Sequence, residues 1–218
     1  MEVNNLSNQN SILNHFVSEL RNINVHGDSL RFRKNLERIG EILAYEISKK
    51  LNYELTEIQT PLGIAPTFLF KNKIVLATIL RAGLPLHEGF LHYFDNSQNA
   101  FISASRRYNE NHTSFEILVE YISSPRIEGK TLIIIDPMLA TGSSLQLVFN
   151  SLLKKGEPEQ IHIACAIASQ YGIENITKSF PINKTTIWTA AIDPEINDKA
   201  YIIPGLGDAG DLAFGIKE

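Results

Sequence analysis

Apolar positions along the chain fall into two alternating patterns. Short runs rich in apolar and β-branched residues, at Ile74 to Leu80, Ala100 to Ser105, Thr131 to Ile135, Ile161 to Ala168 and Thr185 to Ile192, have the composition of strands, most of them buried on both faces of a parallel sheet. Apolar residues at helical spacing lie between or before them. Leu36, Ile39, Leu43 and Ile47 follow a capping Asp28 or Ser29; a helix leaves Arg81-Ala-Gly-Leu-Pro85 and runs to about Phe94; Leu145, Val148, Leu152 and Leu153 mark another; Ile173 to Phe180 is a shorter one. Such alternation predicts an α/β fold, a mainly parallel central sheet flanked by helices with right-handed crossovers.

Other segments are less regular. The Asn-rich first ten residues are predicted to be loose, ahead of an amphipathic stretch from Ser11 to Arg21 with Ile12, Leu13, Phe16, Val17 and Leu20 as its apolar positions. Pro61, Gly63 and Pro66 interrupt Tyr53 to Lys71, which reads as a short edge hairpin. The polar stretch Tyr108 to Ser114 reads as the flexible tip of a β-ribbon that returns through Phe115 to Ile122.

At 218 residues and 44% hydrophobic content, one domain over 1–218 is expected, with 1–27 as an N-terminal extension and 200–218 as a C-terminal segment. The net charge of −4 and pI of about 5.9 argue against nucleic acid and anionic membranes as partners. No apolar run approaches the ~18 residues of a membrane helix, and the first residues carry no signal pattern. A single cysteine, Cys165, lies in an apolar run, so no intrachain disulfide is available. A reducing, cytoplasmic setting fits. The six histidines point to no metal site, since His87 and His92 are five apart rather than an i, i+4 pair.

Candidate chemistry concentrates after the strand at Thr131 to Ile135. Asp136-Pro137 ends that strand, because proline has no N–H and restricts its predecessor. Ala140-Thr-Gly-Ser-Ser144 then leads into the helical pattern. Small residues let backbone amides approach an anion, and the free N–H groups of a first helical turn favour negative charge. A Thr-Gly-Ser alone would only cap a helix. With a carboxylate at the strand end it suits a sugar phosphate, whose hydroxyls need an acceptor while its phosphate needs donors. No lysine follows the glycine, so this is not a Walker loop. Arg81-Ala-Gly also sits where a strand empties, the place at which α/β sheets bind ligands. Gly205-Leu-Gly-Asp-Ala-Gly210 satisfies G-x-G-x-x-G but lacks the second strand and the acid ~20 residues on. Close approach of backbone to a planar ligand is its natural use.

Asp136-Pro-Met-Leu-Ala-Thr-Gly-Ser-Ser144 resembles the phosphoribosyl-diphosphate motif of uracil phosphoribosyltransferases, within the type I phosphoribosyltransferase family. Arg31-Phe-Arg33 with Tyr45-Glu46 resembles a helix of that family, Ile79-Leu-Arg-Ala-Gly83 its pyrophosphate loop, and Tyr201 to Asp211 its uracil-binding hood. The resemblance spans roughly Arg31 to Gly215. It implies that Asp136, Arg81, Arg106 and Asp208 act in catalysis. It implies further that Pro137, Met138, Leu139, Ala140, Thr141, Gly142, Ser143 and Ser144 join them in holding 5-phosphoribosyl 1-diphosphate, and that Ile202, Gly207, Asp208 and Ala209 read uracil. The pyrophosphate loop often contains a cis non-proline peptide. Also implied are Mg²⁺ held through substrate oxygens and water, formation of UMP and diphosphate, GTP binding, and a homodimer or larger homo-oligomer. Backbone readout suits uracil, because cytosine's exchanged donor would leave buried groups unpaired.

This chain departs from the family pattern at Thr78, where proline is usual, and at Pro85, Leu86 and Ser143. Ser105 replaces a tyrosine before Arg106, and Leu212 replaces a basic residue after the final acid. These departures bear on loop closure and turnover more than on substrate contact. They keep open two alternatives: a phosphoribosyltransferase for another base, and a non-catalytic nucleotide sensor.

Overall fold

The computed structural model describes residues 1–108 and 115–217, with side chains placed except at 105–108 and 115–118. The chain opens with β1 (Glu2–Asn5), a 3-10 turn over Leu6–Asn8, α1 (Leu13–Arg21) and α2 (Ser29–Ser48). A ribbon of β2 (Tyr53–Thr60) and β3 (Gly63–Phe70) precedes β4 (Ile74–Leu80), α3 (Gly83–Leu91), β5 (Gln98–Tyr108), β6 (Phe115–Ser123) and β7 (Thr131–Ile135). Then come β8 (Met138–Leu139), α4 (Ser143–Leu153), β9 (Gln160–Ser169), α5 (Gln170–Ser179), β10 (Thr185–Asp193), β11 (Glu195–Ile196), β12 (Ile202–Ile203) and α6 (Ala209–Phe214). The main sheet runs β1-β10-β9-β7-β4-β5-β6, with β8 continuing alongside β9. Every pairing is parallel except β5 with β6.

Both faces of the sheet are covered, which is why its strands read as near-continuous apolar runs. Side chains alternate along β4: Ile74 and Leu76 enter a core shared with α1, α2 and α3, whereas Val75, Ala77 and Ile79 enter a second core under α4 and α5. In β9 the alternation changes phase. Ala166 and Ile167 both face the first core, and Ala168 returns to the second. At the same place the Pro137 carbonyl accepts from the amides of Ala166 and Ile167 at 3.1 and 3.0 Å, while the register stays the same on either side, from Ile135↔Ala164 to Met138↔Ile167.

Several elements correct the sequence reading. The first residues are not loose: β1 pairs in parallel with β10 from Glu2↔Thr186 to Asn5↔Thr189. The sheet edge supplies partners that Asn-rich composition could not reveal. The hairpin is not short and does not join the main sheet; it forms a two-stranded sheet of its own with eight paired positions. The helix α3 ends at Leu91 rather than near Phe94, and α5 starts three residues earlier than periodicity implies, where the Ser169 side chain accepts from the Gly172 amide. The polar tip expected at Tyr108 to Ser114 falls on 109–114, outside the described residues. Among the described residues, no helix is long and apolar enough to cross a membrane.

Three departures have local structural accounts. Thr78 and His87 are both buried, and Thr78 Oγ1 lies 2.5 Å from His87 Nδ1. Pro85 sits in the first turn of α3, where a missing N–H costs no helical bond. Leu86 is fully buried. His92 lies beside Glu37 and Glu41 of α2, its Nδ1 2.8 Å from Glu41 Oε1, while Lys34 pairs with Glu37 at 2.6 Å. The i, i+4 spacing that the histidines lack is therefore supplied here by two glutamates.

Burial also tunes several ionisable groups. It pushes the Cys165 thiol up to about 12 and lowers His87 and His162 to about 4. Hydrogen bonds from Arg31, then from Asn35, hold Glu19 down at about 2. Between pH 6.5 and about 4 the unfolded chain protonates both buried histidines while the native protein does not. Stability is therefore complete above pH 6.5 and falls on acidification, by at most about 1.4 kcal/mol per pH unit for each histidine. Loss of the Glu19 contribution begins only below its ordinary value of 4.5. Chemical denaturation across pH 4–7 should show this slope, and His162→Asn should roughly halve it.

Candidate active site

A cleft of about 440 Å³ opens at the carboxyl edge of the sheet. The ends of β4 and β7 form its floor through Ile79 to Ala82 and Asp136 to Met138, α4 contributes Ser144, and Ala200 to Ile202 with Gly207 to Asp211 form the roof. Three stretches far apart in sequence thus meet around one space.

The floor begins where β7 stops. The Asp136 amide still bonds to Ala164, while its Oδ1 accepts from the Met138 amide at 3.3 Å, turning the chain beside the carboxylate. Met138 and Leu139 then re-pair with β9, so the helix that follows starts a step further along the sheet. At its start Gly142 has φ +80°, and a Cβ there would approach Ile176 side-chain carbons at 3.2 Å and the Gly172 carbonyl at 3.3 Å. Only glycine adopts this turn without strain. Thr141 Oγ1 accepts from the Ser143 amide at 3.3 Å, and Asn175 Nδ2 donates to the Thr141 carbonyl at 3.1 Å. Ser169 Oγ donates to the Ala140 carbonyl at 2.5 Å. Sequence reading overlooked Ser169 and Asn175, although Ser169, placed after an apolar strand, has the form of a helix cap.

At the other strand end of the floor the Leu80–Arg81 peptide is cis, in keeping with the implied loop. Arg81 Nη2 donates to the Gly215 carbonyl at 3.0 Å and lies 3.4 Å from Asp211 Oδ1. Its Nε is buried with no hydrogen-bond partner among the described residues. In the roof the Ile203–Pro204 peptide is cis, and Gly205 and Gly207 have φ of +56° and +95°. Asp208 Oδ1 caps α6 by accepting from the amides of Gly210 and Asp211 at 2.8 and 3.0 Å. Arg33 Nη1 holds the Ala213 carbonyl at 2.6 Å with its guanidinium 5.9 Å from the Phe214 ring centroid, while Arg31 pairs instead with Glu19.

Of the sequence candidates, Arg81, Asp136, Pro137, Met138, Ala140, Ser144, Ile202, Gly207, Asp208 and Ala209 line the cleft. Leu139 is buried in the core under α4, so its side chain faces away. Thr141, Gly142 and Ser143 shape the helix start without lining the cleft. The Arg106 backbone belongs to β5, and its side chain lies outside the described residues. Asp211 and Lys217 also line the cleft and were not anticipated as site residues. Leu212 is half-buried against the first core.

A mainly parallel sheet carries a strand–loop–helix turn and an arginine turn on its carboxyl edge, under a glycine-rich roof, and the protein is a phosphoribosyltransferase. The sequence model described as "Uracil phosphoribosyltransferase" matches residues 7–216, and the chain belongs to that family. The uracil phosphoribosyltransferase of Porphyromonas gingivalis is 56% identical over 217 residues, covering all of both chains. That of Sulfolobus acidocaldarius is 39% identical over 212 residues, covering 94% of this chain and 96% of its own. Among solved structures, the AQ2163 protein of Aquifex aeolicus superposes with a TM-score of 0.85 at 32% identity, covering 98% of each chain.

Gly142→Ala tests the cradle. It is expected to lower the unfolding free energy by about 1–2 kcal/mol and to shrink the stabilisation conferred by ribose 5-phosphate. Denaturant titrations with and without that ligand read both effects, and parent-like values would mean that the turn tolerates a side chain.

Proposed function

We propose that the protein catalyses transfer of the phosphoribosyl group of 5-phospho-α-D-ribose 1-diphosphate to uracil, giving UMP and diphosphate in pyrimidine salvage, with the whole chain working as one domain. The convergence of the cradle, the arginine turn and the glycine-rich roof on one cleft carries this reading. The amides from Ala140 to Ser144 bind the 5′-phosphate, and the Asp136 carboxylate accepts from the ribose hydroxyls. Arg81 and Arg106 neutralise the diphosphate as it departs. Main-chain groups of Ile202 and of Gly207 to Ala209 read the alternating acceptor and donor edge of uracil, and Asp208 also faces the ribosyl group. Uracil N1 attacks the ribosyl carbon as the diphosphate bond breaks and the N1 proton is lost, through an oxocarbenium-like centre. No side-chain nucleophile is needed.

Asp136, Asp208 and Asp211 line the same cleft as Arg81 and Lys217. This excess of hard oxygen donors, facing a substrate rich in phosphate oxygens, fits Mg²⁺ held mainly by substrate and water beside Asp136 and Asp208. When bound, the ion would offset charge on the diphosphate. GTP binding rests on the resemblance alone. A cytoplasmic location is supported by a lone, fully buried cysteine that needs no oxidising environment.

The proposal includes a homodimer or larger assembly. Its support is the β2–β3 ribbon, which carries Leu62 fully exposed and Phe68 65% exposed, with Leu55 and Ile64 exposed beside them. Apolar surface of this kind on a free-standing ribbon favours a partner. Leu62→Glu with Phe68→Glu should shift the mass seen by light scattering to that of a monomer; a parent already monomeric would end this part of the reading.

Radiolabelled uracil with 5-phosphoribosyl 1-diphosphate and Mg²⁺ should yield UMP, with negligible product from cytosine, hypoxanthine or orotate. Asp136→Asn should lower kcat/KM by about 10²-fold or more, the scale of losing one well-placed polar group in a reaction centre. Preferred turnover of another base would reassign the acceptor. Binding of both substrates without product would favour the sensor.

A further inference from the structure

We propose that Arg21 is a positioning residue for the nucleobase acceptor: paired with Asp193, it holds the turn from Ile202 to Gly207 whose backbone reads uracil, an inference that rests on the function proposed above. Arg21 belongs to the stretch before the recognised motifs, the last residue of α1, where a cation also suits the helix C-terminus. Its Nη1 and Nη2 meet Asp193 Oδ2 and Oδ1, each at 2.7 Å, and Nη1 donates in addition to the Gly205 carbonyl at 3.0 Å. Asp193 Oδ2 accepts from the Gly205 amide at 2.9 Å. Both main-chain polar groups of Gly205 are therefore held by one ion pair.

The position held is a demanding one. Gly205 has φ +56°, and a Cβ on it would strike the Ile202 carbonyl, so the turn folds tightly back on the residue expected to read the base. Pro204, just before it, has no N–H to anchor the chain. Asp193 closes β10 and is only 4% exposed, so its carboxylate is fixed by the sheet. Bidentate pairing of a planar guanidinium with a carboxylate sets direction as well as distance, which a lysine cannot reproduce. The sugar-phosphate side of the cleft is built from β4, β7 and α4, and this network touches none of them.

The geometry predicts a split between substrates. In Arg21→Met and Arg21→Lys, KM for uracil should rise tenfold or more while KM for 5-phosphoribosyl 1-diphosphate stays within about threefold. Asp193→Asn, which keeps an acceptor for the Gly205 amide but loses the charge, should fall between parent and Arg21→Met. Hydrogen exchange read on peptides spanning 195–207 should accelerate in the Arg21 variants, while peptides of β4 and β7 exchange as in the parent. Equal rises in both KM values, or parent-like exchange in 195–207, would overturn the inference; if Arg21→Met does not fold, Arg21→Lys decides. The exchange measurement needs no turnover, so a parent that makes no UMP would sink the proposed function while leaving the clamp to be judged on exchange.

Discussion

One carbonyl sets the geometry of the cleft. Pro137 has no N–H to offer the sheet, and its C=O takes the amides of both Ala166 and Ile167. That double acceptance falls between β7 and β8, where the side-chain phase of β9 changes, and Met138 and Leu139 then pair with β9 in the same register as β7. Asp136 is left at the lip of the sheet, and α4 starts nearby with Ser144 lining the cleft. An apolar run as good as Thr131 to Ile135 would otherwise continue as strand; the missing N–H of Pro137 interrupts it beside the cleft.

Charge distribution complements this geometry. The protein is acidic overall, yet three of its arginines hold the roof: Arg21 on Gly205, Arg33 on the Ala213 carbonyl and Arg81 on the Gly215 carbonyl. The roof has little sheet of its own, only the two-residue pairing of β11 with β12. Its form depends on side chains from α1, α2 and the end of β4. Arg81 serves both walls. Its guanidinium lies 3.4 Å from Asp211 Oδ1, which ties the end of β4 to the roof.

The departures from the family pattern fall in two places. Thr78, Pro85 and Leu86 lie behind the arginine turn, where a buried Thr78–His87 hydrogen bond and a proline in the first turn of a helix are compatible with the same backbone. Ser143 opens α4 and Leu212 packs against the first core. These departures sit within a chain that shares 56% of its residues with the uracil phosphoribosyltransferase of Porphyromonas gingivalis over the full length.

Strand runs at Ile74 to Leu80 and Thr131 to Ile135, the Asp28 cap and the amphipathic faces of α1 and α2 were legible in the sequence, because each is decided by burial periodicity or by a local hydrogen bond. The stretches around Asp136, Arg81 and Asp208 that the sequence singled out meet around one cleft, and they stand out because tight turns and strand ends accept few residue types. Other features were decided by partners distant in the chain. Asn-rich Glu2 to Asn5 is a strand only because the edge of β10 is open to it, and the Tyr53 to Phe70 ribbon stands apart because no main-sheet strand accepts it. Arg21 carries no signal in its local sequence; its role depends on Asp193 and Gly205, more than 170 residues away. The sequence by itself determined which segments would be buried and where strands would give way to tight, glycine-rich turns, since those are properties of neighbouring residues. Only the tertiary structure decided which side chains hold that backbone in place, since bidentate pairing and edge pairing exist only after distant segments have met.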